Sequence, residues 1–438
     1  MFKYNLRLAF NSMRRNPIMT TLMIAAIAVG IGVSMTTLTV YHMMSSDPIP
    51  QKSDVLFAVT MDSWNPLRPF DEDRPERAPH QLTFHDAERL VALGEGKRQT
   101  AMFESSLIIE PLSDEDLPFE AGARVAYSDF FTMFNVPFIF GVGWDKSADT
   151  AAEPVVVLSR QLNERLFGGE NSVGKSLTME GLRFRVVGVT DTWEPTPRFY
   201  DPINGAFQEV NEMFIPYSLT RVMELKSAGS DWGWKWEEIT TFEQWLNSES
   251  LWVQYFVELE SAGDREEYVA HLNAYVDEQK QLGRFERPMN NNIFNVGEWM
   301  EYHEVVARDS KVLVGLAFLF LVVCLLSTIA LTLTKFVGKK AETSLRRALG
   351  ASRMTIFKQQ LVEVGVIGFS GGLIGLLLVV LGLEGIEYLY DSPGGLVRLD
   401  WLMVFTSIAV AIASGMIAGL YPAWRVCRIP PANQLKTQ

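Results

Sequence analysis

Four stretches of this 438-residue chain are apolar over lengths that match the roughly 30 Å hydrocarbon core of a bilayer. They are residues 18–40, 311–334, 361–383 and 401–421. The first two are separated by about 270 residues of mixed polarity. The pattern predicts a membrane α-helical protein of four transmembrane helices. A large α/β (α+β) domain of two subdomains, residues 41–310, is inserted between helices 1 and 2. Ahead of the first span, Phe2, Leu6, Ala9, Phe10 and Met13 recur at helical spacing, with Lys3, Arg7, Asn11 and Arg14 between them. Residues 1–17 therefore read as a basic amphipathic helix on the membrane surface, broken at Pro17.

Inside the insert the periods are shorter. Strands are expected at 55–60, 101–110, 154–158 and 251–260, and a strand followed by a short helix over 125–135. Helices are expected at 83–93, opened by Thr83, at 159–167 and at 264–281. A hairpin over 177–189 should turn at Glu180-Gly181. Residues 190–245 are loop-heavy and carry Trp193, Trp232, Trp234, Trp236 and Trp245. The strand-and-helix texture of 53–110 returns at 250–295, which predicts one subdomain from those two segments and a second over 111–248. A helix at 298–310 is expected to run straight into the second span.

Charge orients these elements. The chain carries a net charge of −13, very unevenly spread. Residues 1–17 hold four basic residues and no acid, 335–358 hold seven against Glu342, and 422–438 hold three and no acid. Residues 41–310 hold 23 basic and 46 acidic residues, a net of −23. The positive-inside rule places both termini and the 335–360 loop in the cytoplasm, and the inserted domain and the short 384–400 loop outside. The inserted domain is thus expected on the external face of the membrane. That domain has no cysteine; Cys324 lies in a span and Cys427 in the tail. It must fold on its apolar core, which its length permits. The first span is longer than a signal-peptide core and reads as an anchor.

Candidate chemistry is sparse. In 335–360, Leu345, Ala348 and Leu349 share a helical face and Gly350 follows where a helix would end. A short helix over 340–349 should present Arg346 and Arg347, with Arg353 beyond it. Glu363, inside the third span, is a functional candidate by default, but snorkelling or pairing with Lys358 or Arg347 would equally account for it. Gly368 and Gly372, Gly371 and Gly375, and Gly415 and Gly419 are small-residue pairs that let helices approach; Ala26 and Gly30 form a weaker one. Gly169, Gly174, Lys175 and Ser176 satisfy the phosphate-loop spacing, yet a predicted helix precedes them and a hairpin follows, the reverse of what a phosphate loop needs. We read this as a false phosphate loop. Catalytic and metal residues are expected to be absent: the five histidines are scattered and no nucleophile elbow occurs. Four spans and no buried ion-coupling set also argue against a secondary carrier.

KKAETSLRRALGASRMTIFKQQLVEVGVIGFSGGLIG and the tail GLYPAWRVCRIPPANQLK resemble the permease signature of MacB/FtsX-type ABC transporters, with Cys427, Asn433 and Gln434 departing from the usual tail. YSDFFTMFNVPFIFG and VVVLSRQLNERLFGGENSVGKSLTMEGLRFRVVGV resemble the MacB-like periplasmic core domain. The resemblance implies a porter subdomain (53–110, 250–295) and a sabre-like insert (111–248). It implies a permease subunit that is not itself an enzyme and binds no cofactor. ATP and Mg would sit on a separate ABC ATPase subunit, into which Leu345, Arg346, Arg347, Ala348, Leu349 and Gly350 would insert as a coupling helix. Motion would pass outward by mechanotransmission through residues 41–52 and 298–310 acting as a rigid stalk. The implied partners are a second copy or related permease, a membrane fusion protein and an outer-membrane channel, with no nucleic acid. The implied activity is efflux of a drug, peptide or lipid-like substrate; FtsX-like relatives instead regulate cell-wall hydrolases or peptide sensing.

Overall fold

A computed structural model describes residues 2–110, 117–306, 308–339, 345–346 and 349–389, together with separate residues between 405 and 424. The chain divides into two compact units, Met1–Ser45 with Val306–Gln438, and Ser46–Val305.

The first unit is helical. α1 (Phe2–Arg15) is the expected amphipathic helix and α2 (Pro17–Ser45) the first span. The second and third spans are longer helices, Arg308–Gly338 and Arg353–Leu389. Among the described residues these three helices are long and apolar enough to cross a membrane. The fourth predicted span, 401–421, lies for the most part outside the described residues, as does the tail 425–438.

The second unit is one mixed sheet buried on both faces. Its elements in chain order are β1 (Leu56–Thr60), β2 (Leu82–Thr83), α3 (Phe84–Leu93), β3 (Arg98–Ile109), β4 (Phe119–Ala126), α4 (Asp129–Met133) and β5 (Phe138–Gly141). Then come α5 (Lys146–Ala151), β6 (Val155–Leu158), α6 (Arg160–Phe167), β7 (Ser176–Met179), β8 (Leu182–Thr190), β9 (Met213–Pro216) and α7 (Leu219–Met223). The unit closes with α8 (Phe242–Leu246), β10 (Leu251–Glu258), α9 (Arg265–Gln281), β11 (Asn292–Asn295) and α10 (Val296–Tyr302). The two remaining spans are α11 (Arg308–Gly338) and α12 (Arg353–Leu389). Strand order is β11-β1-β10-β3-β4-β9-β6-β8-β5.

Local chemistry accounts for the predicted boundaries. Thr83 caps α3 by accepting from the Asp86 amide, and Ser159 caps α6 by accepting from the Leu162 amide. The β7–β8 hairpin turns at Glu180 and Gly181, both at positive φ, which matches the twist of the flanking strands. β10 is buried at every position, Gln254 and Glu258 included, because helices cover both faces of the sheet, so its sequence shows no apolar–polar alternation.

The predicted subdomains, 53–110 with 250–295 and 111–248, occupy the two contiguous halves of that single sheet. They join at β3 and β4, paired in register from Met102↔Ala126 to Ile109↔Phe119. Each core draws on both halves: Phe57, Phe103, Ile215 and Trp252 share one face, and Ala58, Met102, Phe214 and Phe256 the other. A long shared strand pair and two shared cores make this one body.

The expected helix over 298–310 is interrupted. α10 stops at Tyr302, Glu304 adopts φ 51°, and a new helix begins at Arg308. The Asn295 capping box starts α10, and an ion pair between Glu304 and Arg74 ties its end to the loop before α3. Residues 46–55, after α2, form turns rather than helix. Neither connection is a continuous helical rod.

Two buried ion networks hold the sheet to its covering elements. Asp86 in α3 is fully buried and takes two bonds from Arg284, at 2.7 and 2.8 Å, and one from the Tyr275 hydroxyl at 2.6 Å. Burial pushes the Asp86 carboxyl up, but the Arg284 guanidinium, with the Thr83 and Tyr275 hydroxyls, holds it below the usual carboxylate value. The second network joins Arg124 on β4 to Asp201 at 2.7 Å and to Asn211, with Gln254 on β10 also reaching Asp201 at 3.0 Å. It pins the loop after β8 to the sheet.

A prediction follows for the first network. The folded Asp86 value lies below the unfolded one. Its contribution is therefore present above the ordinary value near 4 and is lost as pH falls through the folded value. Nine of the eleven tryptophans lie between 46 and 305, so fluorescence melts of the full chain report on this unit. Arg284→Met should lower its stability at pH 7 by about 3–5 kcal/mol, because it strands a buried carboxylate, and should flatten the acid dependence. Melts identical to wild type at pH 7 would contradict this.

Candidate functional site

α2 is the centre of the membrane unit. Both α11 and α12 pack along it, and their closest approaches use small residues. A Cβ on Gly371 would meet Ile27 Cγ2 at 2.8 Å, and one on Gly375 would meet Ile31 at 3.1 Å. A Cβ on Gly30 would meet Cys324 at 3.0 Å, which gives that cysteine a packing role. The pair Gly371–Gly375 and the weaker candidate Gly30 therefore sit at helix contacts. Gly368 and Gly372 lie within α12. Gly415 and Gly419 lie outside the described residues.

Glu363 is buried in α12, and its ionic partners among the described residues are two lysines at the end of α11. Its carboxylate pairs with Lys335 Nζ at 2.8 Å and Lys339 Nζ at 3.2 Å, both at the end of α11, and accepts a hydrogen bond from Ser12 of α1. Lys335 also donates to Thr20 of α2 at 3.1 Å. Lys335 and Lys339 reach Glu363 because the end of α11 meets α12 here, where Phe336 packs against Val364. One carboxylate thus gathers residues from α1, α2 and α11. The sequence suggested pairing of Glu363 with Lys358 or Arg347 and did not single out Lys335 and Lys339. The readable signal was the i, i+4 spacing of Lys335 and Lys339, which puts both on one helix face.

The basic loop ends as its pattern predicts. Leu345 and Arg346 are helical. The Leu349 amide donates to the Leu345 carbonyl, the Ala351 amide donates to the Arg346 carbonyl, and Gly350 takes φ 98°. These are the bonds of a helix closed by a left-handed glycine. Arg346 donates to Gln359 of α12 at 3.1 Å. Leu345 and Leu349 are 58% and 80% exposed, so two leucines of the turn lie mostly uncovered among the described residues. Arg353 opens α12. Residues 340–344, Arg347 and Ala348 lie outside the described residues.

The segment 169–176 lies between α6 and the β7–β8 hairpin. Its amides serve the domain itself: Gly174 donates to the Val186 carbonyl and Lys175 to the Ser172 carbonyl. Lys175 Nζ sits 3.5 Å from Glu170 and over the Phe167 ring, and Ser176 begins β7.

Long apolar helices packed on a central first span, with a large two-faced sheet domain between the first and second, define a multi-span membrane protein with a major extramembrane domain. Residues 20–275 match the MacB-like periplasmic core domain and residues 314–431 the FtsX-like permease C-terminal family. The chain belongs to the MacB/FtsX-type ABC transporter permeases. It is 22% identical over 322 residues to the macrolide export ATP-binding/permease protein MacB of Syntrophobacter fumaroxidans, covering 65% of this chain and 43% of that one. It is 21% identical over 287 residues to the uncharacterized ABC transporter permease YknZ of Bacillus subtilis, covering 65% and 62%. It is also 22% identical over 315 residues to the pyoverdine export ATP-binding/permease protein PvdT of Pseudomonas savastanoi, covering 70% and 42%. The chain thus spans less than half the length of the MacB and PvdT relatives. The periplasmic region of MacB from Actinobacillus actinomycetemcomitans superposes at TM-score 0.36 with 17% identity, over 58% of this chain and 95% of that one.

Proposed function

We propose that this chain is the membrane subunit of an ABC transporter that works by mechanotransmission, with ATP hydrolysed in the cytoplasm on a separate subunit. The observation that carries this is the turn Leu345–Gly350, which offers two exposed leucines beside a basic strip. Leucines of that kind fill a groove, and arginines at its rim pair with acidic residues. ATP and Mg belong to the partner in this reading. Both termini lie in the cytoplasm, as the basic segments 1–17, 335–358 and 422–438 require. Nucleotide binding then pushes the turn and the base of α11 and α12, and the sheet domain rearranges to move substrate already outside the membrane. Because residues 46–55 and 303–306 form turns and bends rather than continuing their spans, motion passes through two jointed connections instead of a rigid stalk. A second copy or related permease completes the membrane part, and a membrane fusion protein and outer-membrane channel carry substrate onward.

Purification of the tagged chain from its native membranes tests this reading. An ABC-type ATPase subunit should copurify in stoichiometric amount. A stable complex with a cell-wall hydrolase or sensor kinase, lacking transport, would favour the FtsX-like alternative instead. In this reading residues 169–176 bind no nucleotide, and Lys175→Ala should leave export at the wild-type rate. Lost nucleotide binding in that variant would restore the phosphate-loop reading.

A further inference from the structure

Where α1 lies against the ends of α11 and α12, the membrane unit encloses a cleft of about 120 Å³. Arg15 and Asn11 of α1, Lys339 just past α11, Arg346, and Gln359, Gln360 and Glu363 of α12 line it. Room of this size takes several water molecules or a small headgroup.

Two observations say what kind. The first is charge. Residues 1–17, 335–363 and 422–438 together hold fourteen basic residues and two acidic ones, Glu342 and Glu363. Arg15, Lys339 and Arg346 each have partners within the chain. Glu363 already serves both Lys335 and Lys339. The cleft itself is lined by three cations and one carboxylate, Glu363, so it favours anionic oxygens. The second is Gln360. It is only 7% exposed, and its Oε1 accepts no hydrogen bond from the protein. A buried acceptor left open costs about 1–3 kcal/mol, so the occupant should bring a donor as well.

A phosphodiester whose headgroup carries hydroxyls meets both demands and has the net negative charge the cleft favours. The helices around it are an amphipathic surface helix and the ends of two spans, which is the depth of lipid headgroups. We propose that this cleft binds the phosphoglycerol headgroup of an anionic membrane lipid. The phosphate sits among Arg15, Lys339 and Arg346, a glycerol hydroxyl donates to Gln360 Oε1, and the lipid ties α1 to α11 and α12. This site does not depend on which subunit hydrolyses ATP.

Native mass spectrometry of the full chain in detergent, with phosphatidylglycerol or phosphatidylcholine added, tests it. Wild type should retain phosphatidylglycerol about tenfold more than phosphatidylcholine. Gln360→Glu, nearly isosteric, places a carboxylate in the cleft and should bring retention to the phosphatidylcholine level. Arg15→Gln should do the same, and Arg15→Lys should keep the lipid. Equal retention of the two lipids by wild type overturns the proposal whatever the variants do, as does undiminished phosphatidylglycerol on Gln360→Glu. Displacement of the lipid by soluble glycerol phosphate overturns the assignment to lipid in favour of a free phosphoester.

Discussion

Glu363→Ala should destabilise the membrane unit by about 3–5 kcal/mol, because it removes the carboxylate that, among the described residues, pairs with a lysine buried to 1% exposure. Lys335 cannot reach water from that depth, whereas Lys339, at 22%, can. The double variant Glu363→Met with Lys335→Met should recover most of the loss, since an apolar pair of similar volume avoids the desolvation of both ions. Glu363→Ala with Lys339→Met should recover little. Thermal melts of the detergent-solubilised chain, read as a double-mutant cycle, separate these outcomes. Additive effects at 335 and 363 would mean that the pair does not hold α11 to α12. Because Ser12 joins the same carboxylate, the single variant should also expose α1 to proteolysis.

Reversing the charge of the turn should have the larger functional effect. Arg346→Glu with Arg347→Glu should reduce association with the ATPase subunit at least a hundredfold. Two cations that would meet an acidic groove become two anions facing it, and like charges across an interface cost several kcal/mol. Arg346 also donates to Gln359, a contact the chain itself would lose. Thermal melts of the whole detergent-solubilised chain distinguish the two effects, since loss of the Gln359 contact alone would lower the melt of the membrane unit. The sheet domain, which holds most of the tryptophans, should melt as in wild type while association is lost. Association at wild-type strength in this variant would remove the turn from the coupling role.

Much of this was legible in the chain, and the reason is physical. The three described spans could be read because a bilayer demands length and apolarity together. α3 and α6 could be read because threonine and serine caps and terminal glycines are local signals. The Glu180-Gly181 turn could be read for the same reason. What could not be read depends on residues far apart in sequence. Glu363 sits 28 positions from Lys335 and hundreds from Ser12 and Thr20, so no local pattern names its partners. Asp86 and Arg284, and Arg124 and Asp201, are also joined only by folding. The joining of the two predicted subdomains into one sheet has the same origin, since strand order is a matter of pairing and not of periodicity. The interruption after Tyr302 was missed because Glu304 is an ordinary helix former held in a left-handed turn by its surroundings.

The central claim is that the turn ending at Gly350 is where a separate ATPase attaches. A photoreactive residue at position 349, whose leucine is 80% exposed, tests it most directly in native membranes. Irradiation should give one dominant product between this chain and the ATPase subunit, weakened when ATP is depleted and abolished by Arg346→Glu with Arg347→Glu. A photoproduct confined to lipid, or to another copy of this chain, would contradict the account.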